Sequence, residues 1–183
     1  TATTSTAAFL PRMLRNTGKT VCPSNLFCYY TIPPTHPKED AVCATYCGRC
    51  FETTAELRQA IEDYMEDPSH TSQVATTYGW PIKNWCTSLL SDFSYAFDKP
   101  DFNEDISAWD LSSATDLSHM FENATEFNQP GLIKWDLSSA VDMSYFLAGA
   151  TAFDQPLNQL DVSNVQFMME MFAGATSFDQ DLN

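Results

Sequence analysis

Six cysteines are the residues of this chain best suited to chemistry. Five fall within 29 residues and the sixth follows later, at Cys22, Cys28, Cys43, Cys47, Cys50 and Cys86. An even count clustered in a loop-rich region favours three disulfides and an oxidising, extracellular compartment. The spacing Cys43-x3-Cys47-x2-Cys50 leaves two alternatives open, an iron–sulfur loop and a zinc site. We favour disulfides, because nothing in the sequence predicts the large barrel that such a cluster requires.

Carboxylates recur at fixed spacing in the second half of the chain. Each is followed two residues later by a serine, and we expect both sets to form ladders on an exposed strand face: Asp110, Asp136 and Asp161, with Ser112, Ser138 and Ser163. Such rows could bind calcium, which takes six to eight oxygen ligands. The alternative is that Asp and Ser cap local backbone groups in a turn. We favour the second interpretation and expect no metal or cofactor, since no loop has the Asp-x-Asp-x-Asp-Gly order.

The sequence does not predict an enzyme. The three histidines, His36, His70 and His119, are scattered, and no nucleophile recurs beside them in a recognisable order. A net charge of −15 over 183 residues argues against nucleic acid as a partner, because phosphate binding needs a cationic surface. No apolar stretch is long enough to predict insertion into a membrane.

The charge is unevenly distributed along the chain. Residues 85–183 carry 16 acids and two lysines, a net of −14, whereas residues 1–84 carry a net of −1. Residues 1–21 contain three bases and no acid, so a basic, Thr-rich arm precedes an acidic body. The arm is also apolar, which predicts that it binds a neighbouring copy, through Phe9, Leu10, Arg12, Met13, Leu14 and Arg15.

A repeat of about 25 residues dominates residues 85–183. One column of aromatic residues, Phe102, Phe127, Phe153 and Phe178, is spaced by 25, 26 and 25 residues. A second column, Trp85, Trp109, Trp135 and Leu160, is spaced by 24, 26 and 25. The units are therefore 85–101 (partial), 102–126, 127–152, 153–177 and 178–183 (partial). The extra residue of the 127–152 unit is expected near Gly131, because glycine tolerates a bulge.

Each unit contains two phrases that predict local structure. Ile106-x-x-Trp109-x-Leu111 has the spacing of a leucine-rich-repeat strand and recurs in 132–137 and 157–162. The phrase that begins at Thr115 has apolar residues at helical spacing and predicts one or two helical turns, as do those from Val141 and Val165. Stacked units of this kind predict an α/β repeat fold, a right-handed, leucine-rich-repeat-like solenoid.

These repeats resemble a known family. The segment "FNEDISAWDLSSATDLSHMFENATEFNQ" is similar to the repeats of BspA-like surface proteins, the DUF285 repeats of mycoplasma and Listeria surface lipoproteins, which are also abundant in algae. "FETTAELRQAIEDYMED" and "YGWPIKNW" resemble the helix and the segment that precede the first repeat in algal members. Cys86 departs from the Asp usual in the family, which suggests a disulfide that ties the first repeat to the Cys-rich segment.

The segment between arm and repeats, residues 22–84, is expected to form a disulfide-rich N-terminal cap. Thr53-x-x-Glu56 is a capping box, and an apolar stripe follows it, so a helix is predicted over 53–66. Solenoid ends expose apolar side chains and need a cover. The repeat pattern breaks off at Asp181-Leu182-Asn183, where a fourth strand phrase would begin, so this segment has no second cap, and either further residues or another molecule is expected to cover that end.

Two kinds of sugar attachment are also predicted. Asn123-Ala124-Thr125 is an N-glycosylation sequon, and the tract of Thr1, Thr3, Thr4, Ser5 and Thr6 could carry O-linked sugars.

Together these features favour a non-enzymatic extracellular protein that makes protein–protein contacts and assembles with copies of itself into a filament or surface layer. Two alternatives stay open: a linker subunit of a larger hetero-complex contacting other surface proteins, and, as the resemblance implies, an adhesin module that binds host proteins or glycans.

Overall fold

The computed structural model describes residues 15–16, 19–20, 26–31 and 44–182, with side-chain surroundings from Gly48 onward. Most of the arm and two of the cysteines lie outside the described residues, among them Phe9, Leu10, Arg12, Met13, Leu14, Cys22 and Cys43. The tract proposed for O-linked sugars lies outside them as well.

Two antiparallel strand pairs precede the helices. Strand β1 (Arg15–Asn16) pairs with β2 (Lys19–Thr20), and β3 (Leu26–Thr31) pairs with β4 (Ala44–Arg49). The register of the second pair places Cys28 opposite Cys47 at the level of the backbone.

Helix α1 spans Thr54–Glu66 and begins as its sequence predicts. The Thr53 hydroxyl accepts the Glu56 backbone N–H at 3.2 Å, and the Glu56 carboxylate accepts the N–H of Glu52 at 3.0 Å. The buried stripe consists of Leu57, Ala60, Ile61 and Tyr64. Helix α2 (Gln73–Tyr78) follows, with Ser72 as its N-cap, and two short 3-10 helices lie at Ile82–Asn84 and Leu132–Lys134.

The repeats contact one another in sequence order. We number them repeat 1 (85–101), repeat 2 (102–126), repeat 3 (127–152) and repeat 4 (153–177). Parallel bridges join Asp92 to Asp116, Asp116 to Asp142 and Asp142 to Phe167, so each repeat pairs with the next at equivalent positions. The aromatic columns follow the same order, because Phe127 stacks on Phe102 at 6.1 Å and Phe153 on Phe127 at 5.9 Å between ring centroids.

The local structure within a repeat differs from the expectation. The phrase 106–111 forms turns rather than a strand, because the N–H of Trp109 bonds the carbonyl of Ile106 three residues earlier. Equivalent turns replace the strands expected at 132–137 and 157–162, where Trp135 bonds Leu132 and Leu160 bonds Leu157. The phrases from Thr115, Val141 and Val165 are not helical and carry the bridges instead.

Left-handed residues explain why those phrases cannot be helices. His119, Asn123 and Tyr145 have φ values of 58°, 59° and 58°, which interrupt the right-handed backbone that a helix needs. Gly131, where the extra residue was expected, has φ of 109°, and a Cβ there would lie 2.7 Å from Ser107 Cβ. Glycine is therefore required at that turn by its conformation and by the close approach of the preceding repeat.

The core runs continuously from α1 through repeat 3. Trp85, Trp109 and Trp135 are 3%, 3% and 4% exposed and belong to the same buried cluster as Leu57 and Ile61. The equivalent residue of repeat 4, Leu160, packs against this core but is only partly buried. Burial therefore declines at repeat 4.

Candidate interaction surface

Main-chain hydrogen bonds link each repeat to the next in both directions, and one set of alternate N–H groups donates forward. In repeat 2 the N–H groups of Leu117, His119, Phe121 and Asn123 donate to carbonyls of repeat 3, at 2.7–2.9 Å. Repeats 1 and 3 donate to the following repeat in the same way. The side of a repeat that faces the next one thus carries this row of donors together with acceptor carbonyls, such as that of Val141, which accepts the Gln166 N–H at 2.8 Å.

Helix α1 covers the acceptor row of repeat 1. The Thr54 hydroxyl donates to the carbonyl of Asp92 at 2.5 Å, and the Arg58 guanidinium donates to the carbonyl of Ser94. The equivalent carbonyls of repeat 2, on Asp116 and Ser118, accept N–H groups of repeat 1. The side chains of α1 therefore take the place of a preceding repeat's backbone.

The donor row of repeat 4 is open. The N–H groups of Met168, Glu170, Phe172 and Gly174 have no hydrogen-bond partner within residues 44–182. Glu170 and Gly174 have positive φ values of 50° and 73°, as their counterparts in repeats 2 and 3 do. Alternate N–H groups along an edge of this kind can pair with the carbonyl oxygens of another chain segment. We call this surface, with the side chains of Phe167, Met168 and Met169, the open face.

The open face is more apolar than its counterparts. In repeats 1 to 3 an Asp carboxylate accepts the N–H of a Ser two residues later, as Asp142 does from Ser144 at 2.8 Å. Repeat 4 has Phe167 and Met169 at these positions, and they are 56% and 62% exposed. Met168 between them is 43% exposed, whereas its counterpart Met143 is fully buried. A contiguous exposed apolar patch of this kind is typical of a contact surface.

A column of stacked rings leads to this patch. The ring of His119 lies between Tyr95 and Tyr145, at centroid distances of 4.3 and 4.7 Å and within 10° of parallel. The Tyr145 hydroxyl contacts the Met169 sulfur at 3.4 Å. Both faces of the His119 ring are therefore occupied, and the Arg58 guanidinium lies over the ring of Tyr95, 5.8 Å from its centroid.

The surroundings of the open face are acidic. Residues 153–182 contain five carboxylates and no Lys or Arg: Asp154, Asp161, Glu170, Asp179 and Asp181. Hydrogen bonds from the Gln180 side chain and the Asp179 N–H hold the pKa of Asp154 below its usual value. Bonds from Ser163 lower the pKa of Asp161 in the same way. The carboxylates with lowered pKa stay charged at neutral pH and favour a cationic partner.

The Asp–Ser ladders predicted from the sequence form local turns. Asp110, Asp136 and Asp161 each accept the N–H of the serine two residues later, at 3.0 Å, and Asp110 and Asp136 also accept the hydroxyls of Ser112 and Ser138. In the third pair, Ser163 donates its backbone N–H to Asp161. Within the described residues no group of three or more His, Cys, Asp or Glu could hold a metal ion.

The cysteines join the cap to the first repeat. Cys50, directly after β4, forms a disulfide with Cys86 of repeat 1, 36 residues away. The Phe51 N–H also donates to the Cys86 carbonyl, at 3.1 Å. Because Cys50 is bonded to Cys86, it cannot serve with Cys43 and Cys47 as the third thiolate of an iron–sulfur loop.

The sequon residue lies on the surface. Asn123 is exposed, and its Oδ1 atom lies 2.5 Å from where a Cβ on Gly149 of the next repeat would be. Glycine in repeat 3 therefore leaves room for the Asn123 side chain. The hydroxyl of Thr125 donates to the carbonyl of Pro100 at 3.1 Å.

The family of the chain follows from its repeats. A family model described as "Mycoplasma protein of unknown function, DUF285" matches residues 45–132 and 98–183. The chain belongs to the DUF285 family. The two matches overlap and include α1 and all four DUF285 repeats, with the open face in the second match. No curated protein and no solved structure matches the chain. None of the helices described here is both long and apolar enough to cross a membrane.

Sequence reasoning missed the residues that distinguish the open face. Phe167 and Met169 were not singled out, although a signal was present. The pattern Asp-x-Ser occurs at 92–94, 116–118 and 142–144 and is lost at 167–169. Three repeats share the Asp-x-Ser pattern, so its loss in the fourth indicates that this surface position differs in function.

Proposed function

We propose that this protein is a non-enzymatic extracellular structural protein that acts by protein–protein contact through a right-handed solenoid of DUF285 repeats. The observation that carries the proposal is the open face, where Phe167 and Met169 replace the polar pair of the earlier repeats and stand more than half exposed. Four backbone N–H groups without a partner in residues 44–182 lie beside them. A surface that combines apolar side chains with a row of main-chain donors suits an extended segment that supplies carbonyl oxygens.

The proposed occupant is the basic arm of a second copy. Residues 1–21 combine three cations with apolar side chains, including Phe9, Leu10 and Met13, whereas residues 153–182 are acidic throughout. The arm thus matches the open face in charge and in apolar character, and its backbone supplies carbonyl oxygens. An arm that reaches a different surface on the next copy makes a heterologous contact, which propagates into a filament or layer.

An extracellular location is part of the proposal. The disulfide between Cys50 and Cys86 supports an oxidising compartment. The exposed sequon at Asn123 supports modification by an N-linked glycan in a secretory pathway, since the side chain lies on the surface beside a glycine.

Sedimentation velocity over a range of concentrations tests the proposal. We expect the full chain to associate reversibly, and we expect deletion of residues 1–15 to give monomers. Charge reversal at Arg12 and Arg15 should weaken association at low salt, and the difference should shrink at high salt because the attraction is then screened. Lys134→Glu is the matched control for each single reversal, since it makes the same charge change on an exposed side chain of repeat 3.

Two outcomes would contradict the self-association proposal. One is a full-length chain that stays monomeric at high concentration, and the other is a truncated chain that still assembles. Either result would favour a linker subunit, whose open face binds a different protein of the same complex.

A further inference from the structure

We infer that Cys28 and Cys47 form a second disulfide, which links β3 covalently to β4. Together with the bond between Cys50 and Cys86, it joins the segment that follows the basic arm to the first repeat. Self-association plays no part in this pairing, so the pairing and the proposed function can fail separately.

The strand register places the two cysteines opposite each other. Strands β3 and β4 are antiparallel, and Cys28 is the Cα partner of Cys47, next to the pair of Phe27 and Gly48. Directly opposed residues of an antiparallel pair have Cα atoms about 4.5–5.5 Å apart and share one face of the sheet. A disulfide spans Cα separations of about 4.4–6.8 Å. The backbone therefore allows this bond without any change of register.

The same register disfavours Cys43 as a partner of either cysteine. Cys43 precedes Ala44, and Ala44 lies opposite Thr31. Thr31 is three residues beyond Cys28, a distance of about 10 Å along an extended strand. Ala44 and Cys47 are also three residues apart, within the single strand β4. The directly opposed pair is therefore the one that the strands bring within bonding distance.

The disulfide already described limits the remaining choices. Cys50 is bonded to Cys86, so the inferred pair leaves Cys22 and Cys43, which both lie outside the described residues. These two form the third disulfide if all six cysteines are oxidised. A disulfide at Cys47 also removes a second thiolate from the spacing that resembles an iron–sulfur loop.

Strand β4 is held in place by the rest of the cap and by repeat 1. A Cβ on Gly48 would overlap the carbonyl oxygen of Tyr78, so β4 packs directly against the end of α2. Arg49 forms an ion pair with Glu56 of α1, and Cys50 follows with its disulfide. Within the described residues β3 pairs with β4 and with no other strand. The inferred bond therefore fixes β3 on an element that α1, α2 and repeat 1 already position.

Formation of the bond needs an oxidant. The two thiols lose two protons and two electrons as the S–S bond forms, and a second disulfide accepts them and becomes two thiols. The compartment that oxidises Cys50 and Cys86 supplies such a disulfide, on a small thiol compound or on a protein oxidoreductase. The exchange is reversible, so an excess of a reducing thiol should break the bond.

Peptide mapping of the full, unreduced chain tests the pairing. Free thiols are first blocked by alkylation, and the protein is then digested with trypsin and chymotrypsin. Cleavage after Phe27 and after Tyr46 places the four cysteines of residues 22–47 on separate peptides. We expect the peptide of Cys28 to be joined to the peptide of Cys47, and we expect reductant to separate them.

Single substitutions give a second readout. Cys28→Ser should leave Cys47 as the cysteine that alkylates without reductant, and Cys47→Ser should leave Cys28 in the same state. Cys22→Ser is the matched control, since it removes one thiol from the same segment and should leave Cys28 and Cys47 unmodified. If the single variants misfold, the peptide map of the unchanged chain decides. A map that joins Cys28 or Cys47 to any other cysteine, or that finds either as a free thiol, would overturn the inference.

Discussion

The indole N–H of Trp109 donates to the carbonyl of Ile82 in the preceding turn of the chain, at 2.9 Å. Trp135 repeats the contact with Ile106 at 3.3 Å, and Trp85 makes an equivalent bond to Gly79 at 2.9 Å. Trp85 and Trp109 also stack, with ring centroids 6.2 Å apart. The tryptophan column thus links successive units by a polar bond within the apolar core.

Truncation of this column should destabilise the fold strongly. Trp109 is buried, so Trp109→Ala should lower the free energy of unfolding by about 3–5 kcal/mol. Trp109→Phe keeps most of the apolar contact and removes one of the two donors to the Ile82 carbonyl, which still accepts the Trp85 N–H, so it should cost only about 0.5–1.5 kcal/mol. Urea unfolding followed by circular dichroism measures both. Equal, small losses for the two variants would show that the column is not the centre of the core.

The disulfide between Cys50 and Cys86 should hold the cap on the repeats. It closes a loop across a sequence separation of 36 residues, and Cys86→Ser should cost about 2–4 kcal/mol. Limited proteolysis should then cut near α1 before it cuts the repeats.

We also expect all six cysteines to be oxidised, so intact mass should not change on alkylation without reductant. Addition of six alkyl groups would refute that expectation.

Acid should weaken the side-chain ladder formed by the residues that directly follow the core phenylalanines, in which a side chain accepts the N–H of its counterpart in the next repeat: Asn103, Asn128, Asp154 and Asp179. Asp154 Oδ1 accepts the Asp179 N–H and the Gln180 amide at 3.0 and 2.7 Å, and these bonds lower the pKa of Asp154. A carboxyl whose pKa is lowered by folding stabilises the fold above its unfolded pKa of about 3.9. That contribution is lost as the pH falls through the folded value.

Asp154→Asn should remove this pH dependence without disturbing the ladder. Asn128 already performs the same task with its amide oxygen, accepting the Asp154 N–H at 3.0 Å. We therefore expect a melting temperature close to that of the wild type at pH 7 and a smaller loss between pH 5 and pH 3. Asp98→Asn serves as the control, since Asp98 is exposed and outside the ladder. An unchanged acid response in Asp154→Asn would contradict the assignment.

The sequence predicted features that depend on local chemistry or on periodicity. Thr53 and Glu56 identified the start of α1, and the columns of Trp109 and Phe127 identified core positions. The strand expected at 106–111 and the helix expected from Thr115 were wrong, because apolar spacing cannot reveal a left-handed residue such as His119. His is enriched among left-handed residues but Tyr and Glu are not, and Tyr145 and Glu170 adopt the same conformation at this position, so residue type alone does not reveal it.

The candidate surface was predictable only in part. The side chains that define the open face required knowledge of what each position does in earlier repeats. Phe167 is informative because Asp142, its counterpart, caps a surface turn. The side chains of Thr54 and Arg58 donate to carbonyls of repeat 1 that a preceding repeat's N–H groups would otherwise bond. This substitution could not be predicted from the sequence, because it depends on how α1 crosses repeat 1.

Amide hydrogen exchange at the open face tests the central claim most directly. The exchange rates of Met168, Glu170, Phe172 and Gly174 should be measured in the full chain at several concentrations, with the amides of Leu117 and Met143 as internal references that are already hydrogen-bonded. We predict fast exchange at low concentration and protection that grows with concentration as a second copy supplies carbonyl oxygens. Exchange at these four amides that stays fast at concentrations where the protein sediments as an assembly would contradict the account.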